Sequence, residues 1–196
     1  MSRRVVERAP TVRMARPGLA LPVQPAPSEP RDGGKRVALV TPILALDLGT
    51  RTGWALRWDR DHVASGVEGF ELRRQESAGM RVLRFRRWLR ELLELAHVGL
   101  VAYEQPIIHR TRRQANTSVA HNLEGVLLSQ LEGRIDYVAP MPSEVKKHAT
   151  GKGNAPKPLM VEAARARWNR DVQDEDEADA LCVLAWVLDF VGEEGP

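Results

Sequence analysis

Four acidic residues stand where a folded chain would ordinarily place apolar or neutral ones. Asp47 ends the apolar run ILALD and Glu104 ends GLVAYE, while Asp176 and Asp179 fall three residues apart in EDEADALCVL, the acidic start of an apolar stretch. A carboxylate at the end of a buried strand is costly unless a cation compensates it. Asp176 and Asp179, at i and i+3, share one face of a helix that contains them. If the two acid-ending strands are neighbours, Asp47 and Glu104 leave the same edge of the sheet, and the helix start can complete a cluster. Carboxylates gathered in this way repel one another and must bind divalent cations or take up protons. An all-oxygen donor set, with no cysteine and no committed histidine, favours Mg²⁺ or Mn²⁺. Two metal ions held by carboxylates are a standard device for in-line displacement at a phosphodiester. Each acid also has an ordinary role open to it, since Asp47 can cap the turn at Gly49 and acids favour a helix N-terminus. Their joint placement points to a metal site. Gly49 and Gly53, just after Asp47, then read as a turn that keeps side chains clear of a phosphate and its ions.

Periodicity supplies the elements that must position these acids. Strands are expected over about 37–47, 53–58 and 63–72, joined by short turns into an antiparallel meander. Val82, Phe85, Leu89, Leu92, Leu93 and Ala96 then recur at helical spacing, and the arginines between them read as a solvated face. A fourth strand ends at Glu104 and is followed by the basic loop HRTRRQANTS. A helix over about 117–131 and a fifth strand, RIDYVAP, come next. PSEVKKHATGKGNAPK combines a short helix with a Gly-rich basic loop, and two further helices, PLMVEAARARWNR and DEDEADALCVLAWVLDFV, complete the chain. The order βββαβαβαα gives an α/β fold, a five-stranded mixed sheet with an antiparallel meander plus parallel strands, flanked by helices.

Composition narrows the class. The 196 residues suffice for one domain of ordinary size with some excess. That excess is expected to be a disordered, Pro-rich basic arm over 1–36, ahead of an ordered domain over 37–196. The arm holds eight basic and three acidic residues, a net of +5, which leaves −2 for the remainder. A basic arm suits a polyanionic partner, most often nucleic acid. No apolar run approaches the roughly 18 residues that span a bilayer, and the N-terminus has no apolar leader. A single cysteine, Cys182, cannot form an internal disulfide, and a reducing cytoplasm is the expected setting.

In chain order, DLGTRTGWAL, YEQP, VKKHATGKGNAPK and DEADAL resemble the motifs of RuvC-type Holliday-junction resolvases of the RNase H-like superfamily. The resemblance covers about 44–190. DxGxxxxG alone is weak, whereas GKGNAPK followed about twenty residues later by DEAD is specific. The resemblance implies an RNase H-like fold and a Mg²⁺-dependent endodeoxyribonuclease of DNA recombination and repair. Such an enzyme resolves four-way junctions as a homodimer built on the helix over 117–131, with no membrane and no small-molecule cofactor involved. It identifies Asp47, Glu104, Asp176 and Asp179 as catalytic metal ligands, and Lys146 and Lys157 as basic groups near the scissile phosphate. Gly151, Lys152, Gly153 and Asn154 would let backbone N–H groups approach the DNA backbone. One departure is clear: where typical members carry an aromatic residue that stacks on a base, this chain has Pro106-Ile107-Ile108, which can wedge but not stack. Arg110, Arg112 and Arg113 are placed to compensate through phosphate contacts. The short, divergent chain suits a phage or mobile-element origin, with the host cytoplasm as its setting.

Three other readings compete. A related RNase H-like nuclease could act on structured RNA or on branched and flapped replication intermediates. DLGT also resembles the phosphate-binding turn of actin-like ATPases and sugar kinases, but those need two such domains and a longer chain. A catalytically dead DNA-binding module would be expected to lack an acid, and none is missing.

Overall fold

The computed structural model describes residues 41–107 and 114–191, with backbone alone at 114–117. The arm over 1–36, Ile108 and the three arginines Arg110, Arg112 and Arg113 lie outside the described residues. The chain forms β1 (Ile43–Asp47), β2 (Arg51–Arg57), β3 (Val63–Gly69), α1 (Ala78–Leu95), β4 (Leu100–Tyr103), α2 (Gln114–Leu131), β5 (Asp136–Val138), α3 (Pro142–Thr150), α4 (Lys157–Trp168) and α5 (Glu175–Phe190). The sheet order is β3-β2-β1-β4-β5, antiparallel between β1, β2 and β3 and parallel between β1, β4 and β5. This is the mixed five-stranded sheet that the sequence pattern predicts.

Two details differ from the periodicity. The third strand stops at Gly69 instead of continuing to 72; the Phe70 N–H makes one further in-register bond to the Thr50 carbonyl (2.7 Å), beyond which β2 offers no partner because it starts at Arg51. PSEVKKHAT forms the expected short helix as a full element, so three helices follow β5, one more than the order βββαβαβαα counts. Nine residues are too few to show a helical period, but their start is specified locally. Pro142 needs no donor in the first turn, and the Glu144 carboxylate accepts the Met141 N–H at 2.8 Å.

Side chains alternate across the sheet. Ile43, Ala45, Ala55 and Ala102 face α5 and pack with Leu181, Val183, Leu184, Val187 and Leu188. On the other face Phe70 meets Phe85 and Trp88 of α1 edge-on, at ring distances of 5.5 and 5.6 Å, and the Tyr103 hydroxyl donates to Glu124 of α2 at 3.1 Å. The residues expected on the inner face of α1 are buried there, except that Val82 is only half-buried, and Trp88 joins them. In α2, Leu123, Leu127 and Leu131 are buried within this chain's own core.

Alternation also decides the direction of the acid. Ile43 and Ala45 face α5, so Asp47, two residues on, does the same. The first turn of α5 reaches that position because Gly53, the register partner of Asp47 across β1 and β2, has no side chain. A Cβ at Gly53 would stand 1.8 Å from the Asp176 carbonyl oxygen and 2.4 Å from its carbon. The space beside Gly53 is therefore filled by the α5 backbone, not held open for a phosphate. Small side chains at this strand position are excluded by a backbone that cannot rotate aside. Gly53→Ala is expected to destabilise the fold by about 1–3 kcal/mol, measured by urea unfolding. An unchanged midpoint would show that α5 does not rest on β2 here.

Candidate active site

The four predicted acids reach one end of the sheet by separate routes. Asp47 is the last residue of β1. Leu46 pairs with Tyr103 across the parallel β1–β4 ladder, and the Glu104 N–H extends that ladder by donating to the Leu46 carbonyl at 3.1 Å. Asp47 and Glu104 thus leave adjacent strands side by side. The next residue is held as well, its Gln105 N–H donating to the Pro140 carbonyl at 2.9 Å. From above, α5 brings Asp176 and Asp179. Asp174 caps this helix by accepting the Asp176 N–H at 2.9 Å.

The acids act on one another. Asp47 is pushed well above the usual carboxylate range by burial, and then by the negative fields of Asp179, Glu104 and Asp176, with Lys157 opposing. Glu104 is pushed up to about 7, by burial first and Asp179 second, against the pull of Lys146 and Lys157. Asp179 rises to about 6, mainly through burial; Lys157 and Lys146 lower it while Asp176 and Glu175 add to the rise. Among the described residues, the carboxylates of Asp47, Glu104 and Asp179 make no hydrogen bond or ion pair. The same end of the molecule raises the buried Cys182 thiol to about 12, by burial and the fields of Asp179 and Glu104. That thiol stays protonated at neutral pH and offers no soft ligand, so the donor set is all-oxygen.

The lysines of the Gly-rich segment converge on the same place. Lys146 lies on α3 and Lys157 opens α4; the connection between them turns at Gly151, whose φ of 78° closes α3 in the left-handed conformation. Both lysines bear on Glu104 and Asp179. Lys157 Nζ lies 3.0 Å from Glu175 and 3.9 Å from Asp176. Burial would lower the Lys157 pKa, but the Glu175 hydrogen bond and the fields of Asp179, Glu175 and Asp176 outweigh it and raise it. Gly151, Lys152 and Asn154 are exposed, and Gly153 is half-buried with its backbone against Ser143.

Asp176 differs from the other three acids. Arg51, at the start of β2, donates through Nε to Asp176 at 3.0 Å and through Nη2 to Asp174. Of the acidic run, Glu175 pairs with Lys157 and Glu177 accepts the Ser65 hydroxyl at 2.7 Å. The start of α5 is therefore divided between a cap, the ion pairs of Arg51 and Lys157 and a hydrogen bond to Ser65. Asp179 follows in the next turn with no such partner among the described residues. Among the described residues no three or more His, Cys, Asp or Glu side chains already form a metal-holding group. Arg51 and Glu175 escape sequence reasoning. The one available signal is that Arg51 lies four residues after Asp47, in the turn that α5 approaches.

The chain matches no protein-family model. Solved structures do match. Thermus thermophilus RuvC in complex with a Holliday junction substrate aligns with a TM-score of 0.62 and 22% identity, over 79% of this chain and 96% of that one. A second Thermus thermophilus RuvC structure gives 0.60 and 24%, over 79% and 97%. The fold is that of RuvC. The yeast mitochondrial Holliday junction resolvase Ydc2 is more distant, with a TM-score of 0.53, 13% identity and coverage of 74% and 76%. The RuvC-like domain therefore accounts for nearly all of the described residues. No described helix is long and apolar enough to cross a membrane.

The raised acids give this domain a defined pH response. Glu104 and Asp179 hold protons more tightly in the folded protein than in the unfolded chain, so between the ordinary carboxylate range and about pH 7 the folded state carries more protons. Stability falls as pH rises through that window. In EDTA, the Tm of Glu104→Gln or Asp179→Asn is expected to exceed that of the wild type near pH 8 and to converge with it near pH 5. A wild type that melts as high as both variants at pH 8 would show that the acids are not close enough to repel. Mg²⁺ should raise the wild-type Tm more near pH 8 than near pH 5, because the deprotonated carboxylates are the ligands.

Proposed function

We propose that this protein is a Mg²⁺-dependent structure-selective DNA endonuclease that resolves four-way junctions by paired phosphodiester hydrolysis. The observation that carries this reading is the convergence of Asp47, Glu104 and Asp179 at one sheet end, where Asp179 raises the proton affinity of Asp47 and Glu104, and Glu104 raises that of Asp47. A set of partly buried oxygen donors with excess negative charge fits a hard divalent cation. Asp47, Glu104 and Asp179 would hold Mg²⁺ or Mn²⁺, and Asp176 would join them by exchanging Arg51 for the metal. Bound there, the metal would supply a nucleophilic water and neutralise charge on the phosphate.

The chain's own residues have distinct tasks in this reading. Lys146 and Lys157 lower the cost of assembling the acids and offer positive charge to the phosphoryl oxygens as charge develops on them. Gly151, Lys152, Gly153 and Asn154 present a mainly exposed segment of backbone beside these lysines, against which a sugar–phosphate chain can run. Pro106 and Ile107, half-buried just beyond Glu104, offer an apolar wedge at the same edge. The basic loop with Arg110, Arg112 and Arg113 and the arm over 1–36 would add sequence-independent phosphate contacts. A junction has approximate two-fold symmetry and needs two matched cuts, so a two-fold homodimer supplies one site per cut. Its interface would fall on the part of α2 that Leu123, Leu127 and Leu131 leave uncovered, since those three are spent on the chain's own core.

Cleavage of a synthetic mobile four-way junction is expected to require Mg²⁺ or Mn²⁺, and to vanish in Asp47→Asn while binding persists. Lys157→Met should lower the single-turnover rate about 10²–10³-fold. Equal cutting of linear duplex, or undiminished cutting by Asp47→Asn, would overturn the assignment. Faster cutting of flapped DNA or structured RNA than of the junction would keep the chemistry and change the substrate.

A further inference from the structure

Positive charge in this domain is strongly segregated. Residues 73–90 contain seven arginines and one glutamate, a net of +6, within a domain of net −2 over 37–196; the rest of that domain therefore carries −8. The stretch comprises the loop after β3 and the first two-thirds of α1.

The topology brings the start of this stretch, the loop over 71–77, to the end of the sheet where the acids lie; α1 then runs back along the face opposite α5. β1 ends at Asp47, β2 starts from that end, and β3 returns to it, with Gly69 opposite Arg51. The Phe70 N–H donates to the Thr50 carbonyl in the turn after Asp47. Two arginines then fasten the loop to the helix: Arg81 donates to the Phe70 carbonyl and Arg84 to the Glu71 carbonyl, each at 3.0 Å. The single acid of the stretch, Glu76, is used internally. It accepts the Arg73 N–H at 2.7 Å and pairs with Arg84. Gln75, at φ 70°, closes the tight turn between them.

What remains faces outward. Arg73, Arg74, Arg86, Arg87 and Arg90 are exposed, and among the described residues their guanidinium groups make no hydrogen bond or ion pair. Helix stability does not account for this arrangement. The first turn of α1 has no acidic residue, and Arg81 and Arg84 lie near its N-terminus against the dipole. Arg86 and Arg90 repel at i,i+4, and among the described residues Glu91 and Glu94 form no ion pair with Arg87 and Arg90 four residues before them. The inner face of the same helix is fully committed, through Phe85, Trp88, Leu89, Leu92 and Leu93.

We propose that the loop over 71–77 and the outer face of α1 form a second DNA-binding ledge, which receives the phosphate backbone of a duplex arm leaving the cleavage site. The inference rests on the nuclease reading for its partner, but not on the chemistry of cutting. From Ala78 to Arg90 the helix rises about 18 Å, a length of duplex axis that carries roughly ten phosphates. Arginine suits such a surface because its fork meets phosphate oxygens in pairs. The arginines read as a solvated face in the sequence are thus assigned to the substrate because they continue, along the outer face of α1, a basic loop that starts at the acid-bearing end of the sheet.

Binding of the full-length protein to a fluorescent four-way junction, measured against salt in an Asp47→Asn background, tests the ledge. Replacing Arg73, Arg74, Arg86 and Arg87 by Gln is expected to weaken binding at least about tenfold and to make the slope of log K against log salt shallower by about 2–4, near 0.9 for each phosphate no longer neutralised. The same four changed to Lys should retain most of the slope. If the Gln variant proves unfolded by circular dichroism, Arg73→Gln with Arg74→Gln alone should still flatten the slope by about 1–2. A folded Gln variant with the wild-type slope would overturn the ledge. If the Asp47→Asn protein with all its arginines shows no salt-dependent binding to any DNA, the nuclease reading fails first.

Discussion

The approach of the α5 backbone to Gly53 fixes where this protein can place negative charge. Only a residue without a side chain lets the Asp176 carbonyl come so near to β2. That approach sets Asp179 over the ends of β1 and β4. Apolar burial holds the helix down: Leu181, Val183, Leu184, Val187 and Leu188 lie in the core, each contributing about 1.5–3 kcal/mol. Gathering these half-buried carboxylates costs free energy through lost hydration and mutual repulsion, and α5 carries enough apolar surface to bear it. The site is assembled against its own electrostatics by the hydrophobic anchorage of one helix.

Counter-charge is supplied unequally. Asp176 has Arg51 and Lys157 close by, whereas Asp47, Glu104 and Asp179 have no direct partner among the described residues and keep their protons to higher pH. Local stability would be improved by removing charge from these three positions, the trade of stability for activity that the proposed function would require. The lysines on α3 and α4 reach the site from a segment closed by Gly151, so their placement depends on a turn that only a left-handed residue makes without strain.

The two ends of the charge distribution are complementary in use. The acids occupy the tips of β1, β4 and α5, and the loop with Arg73 and Arg74 follows β3 at the same end of the sheet, from which α1 carries further arginines along the other face. A polyanion approaching the acids alone would be repelled. In the proposed reading, nearby positive charge draws the polyanion in and leaves the negative potential of the acids for a divalent cation to fill. Sheet topology produces this juxtaposition, because β3 returns its chain to the end at which β1 stops.

The sequence alone determined the acids, the lysine loop and the element order, because buried strands, amphipathic helices and Gly-rich turns each leave a local period or a local residue choice. Apolar runs ending at Asp47 and Glu104 required no tertiary knowledge to be noticed, and i,i+3 spacing put Asp176 and Asp179 on one face. Tertiary structure alone decided what those residues meet. The parallel pairing of β1 with β4 makes neighbours of acids 57 residues apart. The register of β2 makes Gly53 a seat for α5 and not a phosphate turn. Arg51 and Asp176 are 125 residues apart, and no sequence period reports an interaction of that range. Strand pairing and helix docking fix such neighbours through shape and burial, which belong to the folded chain and not to any segment of it.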